Sequence, residues 1–452
     1  MNSFRALALV VLVLSFRTTA VHPQQESQNP YEASARAILA DLSASRFDKV
    51  VARYDDAMAA ALPEDQLSAA WSAILAQVGA FQSITSVELE DVGPYHVVYI
   101  TCAFEKQPLT FQISFNGKGQ FAGFRTAAPG PRASWKAPEY AKPEMFEERP
   151  ITVHSGHWDL PGSLTVPKGK GPFGAVVLVH GSGPNDQDET IGPNKTFKDL
   201  ALGLSSHGIA VLRYTKRTKQ YGSKSFDDEK AFTVKEEVID DARAAVAQLA
   251  ALPEINARRI FVAGHSLGAY LGPRIADGDP QIAGLILLAG NTRPIEDLVV
   301  EQVRYEADLQ GTITPEMQKT IDAAEQSAKE IRNPDLKSGM TVNLLGASIP
   351  ASYVLDLRNY HPAEVAASLK IPMLVLQGGR DYQVRTADFN GWKKSLDSKS
   401  NVSFKLYPDL NHLFMSGAGP SSPAEYMKPS HVSEAVILNI ASWLMGQTGA
   451  RK

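Results

Sequence analysis

The chain has 452 residues, enough for two or three domains, and its 44% hydrophobic and 21% charged residues are typical of a soluble globular protein. With 45 Lys and Arg against 49 Asp and Glu, no excess of positive charge is present to neutralise phosphates, so we expect no nucleic-acid partner. The only cysteine, Cys102, excludes an intramolecular disulfide and a cysteine-rich metal site.

Residues 1–20 have the pattern of an export signal. Arg5 is followed by an apolar run of 11 residues, 6–16, which is too short to span a bilayer. Residues 18–20, Thr-Thr-Ala, form a small-residue cleavage site. The pattern predicts a secreted or periplasmic protein with no stable membrane insertion after cleavage, the alternative being an uncleaved anchor.

The sequence pattern of residues 30–126 predicts a small α+β domain. Apolar side chains recur at helical spacing as far as Val78, and from Leu109 they alternate with polar ones. Asn116 and Gly117 supply a hairpin turn between the alternating segments. Helices followed by a strand meander indicate an α+β unit, and we expect its aromatic residues to form the core.

A second, larger domain is predicted over residues 150–447, after a proline-rich linker at 127–149 where proline disfavours helix. Short β-branched runs alternate there with amphipathic helices. Runs that are apolar at consecutive positions are typical of strands buried on both faces. This domain is therefore predicted to have an α/β fold, with a doubly wound, mostly parallel sheet.

The most informative motif is Gly264-His265-Ser266-Leu267-Gly268, which joins a predicted buried strand to a predicted helix. This is the context of a nucleophile elbow, a sharp turn that exposes a serine hydroxyl above the sheet at a helix N-terminus. Glycines flank the serine because a Cβ would collide with the strand or the helix. We predict Ser266 as a nucleophile, the alternative being a tight turn with an idle serine.

Such a serine needs a base, and the base needs a carboxylate to orient it. Asp381 and His412 each follow a predicted strand, and the carboxyl ends of strands form the active-site edge of an open α/β sheet. Asp409 is a second candidate acid, but it is too close to His412 in sequence to approach the ring from behind. We predict the triad Ser266, His412 and Asp381.

Acyl transfer also needs donors for the oxyanion. One is the backbone N–H of Leu267, and the other is expected from the loop after the first parallel strand, residues 180–184. We assign it to the N–H of Ser182. His180, in the same loop, is expected to brace it, because His412 already supplies a base.

These motifs identify a family resemblance. Four of them occur in family order: HGSGP (180–184), GHSLG (264–268), GGRD (378–381) and NH (411–412). The region 150–447 thereby resembles the α/β-hydrolase family of serine hydrolases. The stretch 180–204 further resembles bacterial secreted esterases that carry an N-terminal domain of unknown function.

The resemblance implies the triad and oxyanion roles above, with an acyl-serine intermediate. We expect a small-molecule ester of short acyl chain as substrate. A serine peptidase or aminopeptidase with the same triad is the alternative. The segment at about 292–366 is too long for one crossover helix and predicts a helical cap that shapes the substrate pocket.

Neither a cofactor nor a metal is predicted. The glycine pattern at 169–174 precedes a strand instead of following one, and it contains Pro172, so it does not fit a dinucleotide loop. A cluster of four basic residues is expected to lie on a solvated loop, namely Lys216, Arg217, Lys219 and Lys224. The alternative is that the cluster attracts an anionic substrate.

Overall fold

The computed structural model describes residues 29–92, 95–127, 135–344 and 347–447, and the predicted export signal lies outside them. The chain divides into two compact units, 1–132 and 133–452. Within the described ranges, no helix is both long and apolar enough to cross a membrane.

The first unit has a four-stranded antiparallel sheet in which each strand pairs with its neighbour in sequence. Its helices are α1 (Pro30–Ser43), α2 (Phe47–Val51), α3 (Asp56–Ala61) and α4 (Glu64–Val78). Its strands are β1 (Phe81–Val92), β2 (Tyr95–Phe104), β3 (Leu109–Phe115) and β4 (Phe121–Ala127). Apolar side chains of helices and sheet share one core, in which the rings of Trp71 and Phe111 lie 5.7 Å apart. The α+β prediction is confirmed.

The second unit has an eight-stranded sheet in the order β16-β15-β12-β11-β7-β10-β6-β5. Its strands are β5 (Phe146–Ser155), β6 (Trp158–Pro167), β7 (Phe173–Val179), β10 (Ala210–Tyr214), β11 (Ile255–His265), β12 (Ile282–Leu288), β15 (Met373–Gly378) and β16 (Val402–Tyr407). Two further strands, β8 (Thr190–Ile191) and β9 (Asn194–Lys195), form a short hairpin outside this sheet. All neighbours from β10 to β16 in this order pair in parallel, whereas β6 pairs antiparallel with both β10 and β5. This confirms the mostly parallel sheet.

Apolar cores lie on both faces of this sheet, as the consecutive apolar residues of its strands require. Along β7, Val177 contributes to one core and Val176 to the other. The helices are α5 (Thr196–Ser206), α6 (Arg217–Tyr221), α7 (Asp241–Ala250), α8 (Leu267–Ala276), α9 (Ile295–Leu309), α10 (Pro315–Arg332), α11 (Ala351–Leu357), α12 (Pro362–Ser368), α13 (Thr386–Leu396) and α14 (Glu434–Gly446). One π-helical turn, Lys235–Asp240, precedes α7.

Part of the segment predicted as a linker belongs structurally to the second unit. Trp135 Nε1 donates to Asp199 at 2.8 Å, and the hydroxyl of Tyr140 donates to the carbonyl of Val432 at 2.8 Å. Strand β5 then begins at Phe146, before the predicted boundary at residue 150. Proline prevents a helix here, but it does not prevent aromatic side chains from docking on the unit that follows.

The insertion between β12 and β15 contains α9, α10, a hairpin of β13 (Thr341–Leu344) and β14 (Ala347–Pro350), α11 and α12. The hairpin was not expected from the sequence. Helix α12, at the end of the predicted cap, packs on the sheet, because Ala363 and Ala366 are buried in the main core together with Leu357 from the end of α11. It therefore serves as the crossover helix of the sheet.

Candidate active site

The strand β11 ends at His265, the helix α8 begins at Leu267, and Ser266 forms the turn between them with φ 52° and ψ −113°. Residues other than glycine rarely adopt a positive φ, and such strain is concentrated at functional sites. A Cβ added to Gly264 would collide with the backbone of Gly268, and one added to Gly268 would collide with the carbonyl of Val179. Strand, turn and helix thus approach more closely than side chains would allow.

His412 and Asp381 form a buried pair, with 2.8 Å between Nδ1 of the ring and Oδ2 of the carboxylate. Gln377 Nε2 also donates to Oδ2 at 2.9 Å, and the N–H groups of Gln383 and Val384 donate to Oδ1 at 2.9 Å. Because the carboxylate can only accept, Nδ1 of His412 carries the hydrogen. Its Nε2 is then left as the proton acceptor.

A cavity of about 240 Å³ brings the predicted residues together, since Ser182, Ser266, Leu267 and His412 all line it. Asp381 lies behind His412, bound to the ring nitrogen described above. Helix α9 of the insertion contributes apolar side chains to the same cavity, namely Ile295, Leu298 and Val299. The insertion therefore shapes this cavity.

His180 is not among the residues that line the cavity. Its Nε2 donates to the carbonyl of Asp186 at 3.0 Å, and its ring packs against Phe197 and Tyr214. Burial lowers the pKa of His180 to about 4, so the ring is neutral near neutral pH. These contacts hold the 180–184 loop in place, in agreement with a bracing role.

Sequence reasoning missed a buried ion pair next to Ser266, between Glu189 Oε2 and His265 Nδ1 at 2.9 Å. The other ring nitrogen of His265 donates to the carbonyl of His412 at 3.0 Å, and Glu189 Oε1 accepts from the N–H of Gly181 at 2.7 Å. Burial is the largest single influence on the pKa of His265 and lowers it, but the charge and hydrogen bond of Glu189, the carbonyl of His412 and the charge of Asp381 together raise that pKa above its usual value. The two ring nitrogens lie 2.9 Å from Glu189 Oε2 and 3.0 Å from the carbonyl oxygen of His412, so His265 links Glu189 to the loop that carries His412.

The prediction of a solvated basic loop is wrong for two of its four residues. Lys219 and Lys224 are exposed, but Lys216 and Arg217 are only 2% and 4% exposed. Arg217 is paired with Asp241, and Lys216 binds the 180–184 loop. No local pattern distinguishes these two from their exposed neighbours, because burial here depends on segments far away in sequence.

A family model described as "Serine aminopeptidase, S33" matches residues 170–417, more than half of the chain. The chain belongs to this family of α/β-hydrolases. A second model, for a domain of unknown function named DUF3887, matches residues 35–124 of this S33-family hydrolase.

Among curated relatives, Esterase EstD of Thermotoga maritima is 40% identical over 417 residues, which are 92% of this chain and 95% of EstD. Solved structures with weaker likeness include Est1E of Butyrivibrio proteoclasticus, at 17% identity and a TM-score of 0.43 over 66% of this chain and 98% of Est1E. The acylaminoacyl peptidase of Pyrococcus horikoshii, at 15% identity, has a TM-score of 0.42 over 73% of this chain and 45% of that one. Likeness at this level adds nothing to the family assignment.

Proposed function

We propose that this S33-family hydrolase is a serine esterase that cleaves carboxylic esters of short acyl chain. The observation that carries the proposal is one small cavity lined by Ser266, His412 and Ser182, with Asp381 bound behind the histidine. The name of the relative EstD, which is similar along almost its whole length, further supports an ester substrate.

In the proposed reaction, Ser266 Oγ attacks the ester carbonyl while His412 Nε2 takes its proton. Asp381 stabilises the imidazolium that forms, and the N–H groups of Leu267 and Ser182 bind the oxyanion. Collapse of the tetrahedral intermediate breaks the bond to the alkoxy oxygen, which leaves as an alcohol with the proton from His412. Water then attacks the acyl-serine by the same steps and releases the acid.

The preference for a short acyl chain is supported by the size and lining of the cavity. Its volume of about 240 Å³ is below the ~300–1,000 Å³ of pockets for drug-sized ligands. Ile295, Leu298 and Val299 give it an apolar wall that suits an alkyl chain. We therefore expect a long acyl chain to outgrow the cavity.

The charges around the cavity favour an ester over an N-terminal peptide. An aminopeptidase needs an accepting group, such as a free carboxylate, for the α-ammonium of its substrate. Glu189 is the one carboxylate among the described residues that line the cavity, and both of its oxygens are occupied, by Gly181 N–H and by His265. It is therefore not available to bind an ammonium group.

A matched substrate panel tests the proposal. We expect kcat/KM for p-nitrophenyl acetate and butyrate to exceed by far that for alanine p-nitroanilide, and to fall again for the decanoate ester as the chain outgrows the cavity. N-acetylation of the anilide should change its kcat/KM little, because no carboxylate of the cavity is free to bind the ammonium group that acetylation removes. A preference for alanine p-nitroanilide that acetylation abolishes would instead establish the aminopeptidase.

The proposal includes export, because the charged start, the apolar run 6–16 and the small residues at 18–20 have the pattern of a cleaved signal. We expect the protein recovered from a secreting host to begin after Ala20. Intact-mass measurement decides this. A mass that still includes residues 1–20 would contradict cleavage.

A further inference from the structure

Lys216 follows β10 and is buried against the 180–184 loop. Its Nζ lies 3.1 Å from the carbonyl oxygen of Gly181, 3.2 Å from that of Gly183 and 3.2 Å from Oε1 of Glu237. The ammonium donates hydrogen bonds to the two carbonyls, and Glu237 is its counter-ion. A flexible side chain is thus held in one position.

The bond to Gly181 determines where the next N–H points. In a trans peptide the C=O of one residue and the N–H of the next point in opposite directions. The carbonyl of Gly181 faces Lys216, and Asn185 Nδ2 also donates to it at 3.2 Å. The N–H of Ser182 therefore points away from Lys216 and Asn185, and Ser182 is a residue that lines the cavity with Ser266.

We propose that Lys216 is a positioning residue of the oxyanion hole, which fixes and polarises the Gly181–Ser182 peptide so that the N–H of Ser182 binds the oxyanion. A cation on the carbonyl oxygen draws electron density from the amide and makes its N–H a stronger donor. The ammonium acts through the peptide and does not touch the substrate. The inference rests on the proposed serine-hydrolase mechanism.

Glu237 is the counter-ion that stabilises the buried charge of Lys216. An unpaired buried charge is costly, whereas one with a counter-ion and satisfied hydrogen bonds persists. Glu237 is itself held by the hydroxyl of Tyr353 at 2.6 Å and by that of Thr218 at 3.0 Å. Tyr353 belongs to α11 of the insertion, so the insertion supports the counter-ion of Lys216.

The test compares Lys216→Met with the charge-balanced variant Lys216→Met/Glu237→Gln, which leaves no buried charge unpaired. Rates on p-nitrophenyl butyrate are expressed per active site titrated with a fluorophosphonate. We expect kcat to fall about 10- to 100-fold in both, less than the ~10²–10³-fold for loss of an oxyanion donor, with KM changed little. The Ki of an alkyl trifluoromethyl ketone, whose serine adduct carries the oxyanion, should rise by the factor by which kcat/KM falls.

Lys195→Met is the matched control, because Lys195 pairs with Asp188 and binds no carbonyl of the 180–184 loop. It should keep wild-type kcat and Ki. A merely structural role for Lys216 would lower the titrated fraction or raise KM and leave Ki unchanged, and that outcome overturns the inference. Wild-type protein that fails to react with the fluorophosphonate would instead overturn the proposed function itself.

Discussion

Ser266→Ala should abolish labelling by a fluorophosphonate and lower kcat by about 10⁶-fold, the loss seen when the nucleophile of a triad is removed. The variant lacks the oxygen that forms the acyl intermediate. Its stability should remain close to that of the wild type, since serine and alanine both carry a Cβ and bear the same cost at φ 52°. Turnover, labelling and thermal unfolding are the measurements.

Ser395→Ala is a suitable control for that experiment, because Ser395 is exposed on α13. It should keep full labelling and turnover. Labelling retained in Ser266→Ala would assign the nucleophile to another residue and contradict the site as a whole.

Asp381→Asn should lower kcat by about 10⁴-fold, by analogy with the same change in other triads. Each oxygen of Asp381 accepts two hydrogen bonds, and an amide can replace only one of the oxygens. With its nitrogen toward His412, the amide requires Nδ1 as an acceptor and moves the ring hydrogen to Nε2, which then cannot take a proton from Ser266. With its nitrogen in the place of Oδ1, the amide points its own N–H groups at the backbone N–H groups of Gln383 and Val384. Donors then face donors, and these hydrogen bonds are lost.

Asp409→Asn tests the second candidate acid, which the sequence analysis set aside because it lies too close to His412 in the chain. Asp409 is exposed, whereas Asp381 is buried against the ring, so kcat should change less than about twofold. A large loss of kcat in Asp409→Asn would contradict the assignment of Asp381.

The α/β fold and the predicted triad could be read from the sequence because their signals are local. A strand buried on both faces is apolar at consecutive residues, and the Gly264–Gly268 turn requires glycine at both ends. The chain order then places Asp381 and His412 after later parallel strands, whose carboxyl ends meet at one edge.

The antiparallel hairpin β13–β14 and the assignment of α12 to the main core were not predictable in the same way. Both lie in the insertion, where the helices α9 and α10 are amphipathic but have no strand pattern to order them. Which apolar face packs on the sheet and which covers the cavity depends on how the whole insertion folds back.

The sequence by itself was enough to predict the sharp strand–turn–helix at Ser266 and the order of the proposed triad, because strand, turn and helix preferences act within a few residues. Only the tertiary structure decided that Lys216 is buried whereas Lys219 is exposed. It also decided that Glu189 pairs with His265, which lies 76 positions further along the chain. A buried charge is stable only where its partner lies within a few ångströms, and that distance is created when distant segments pack together.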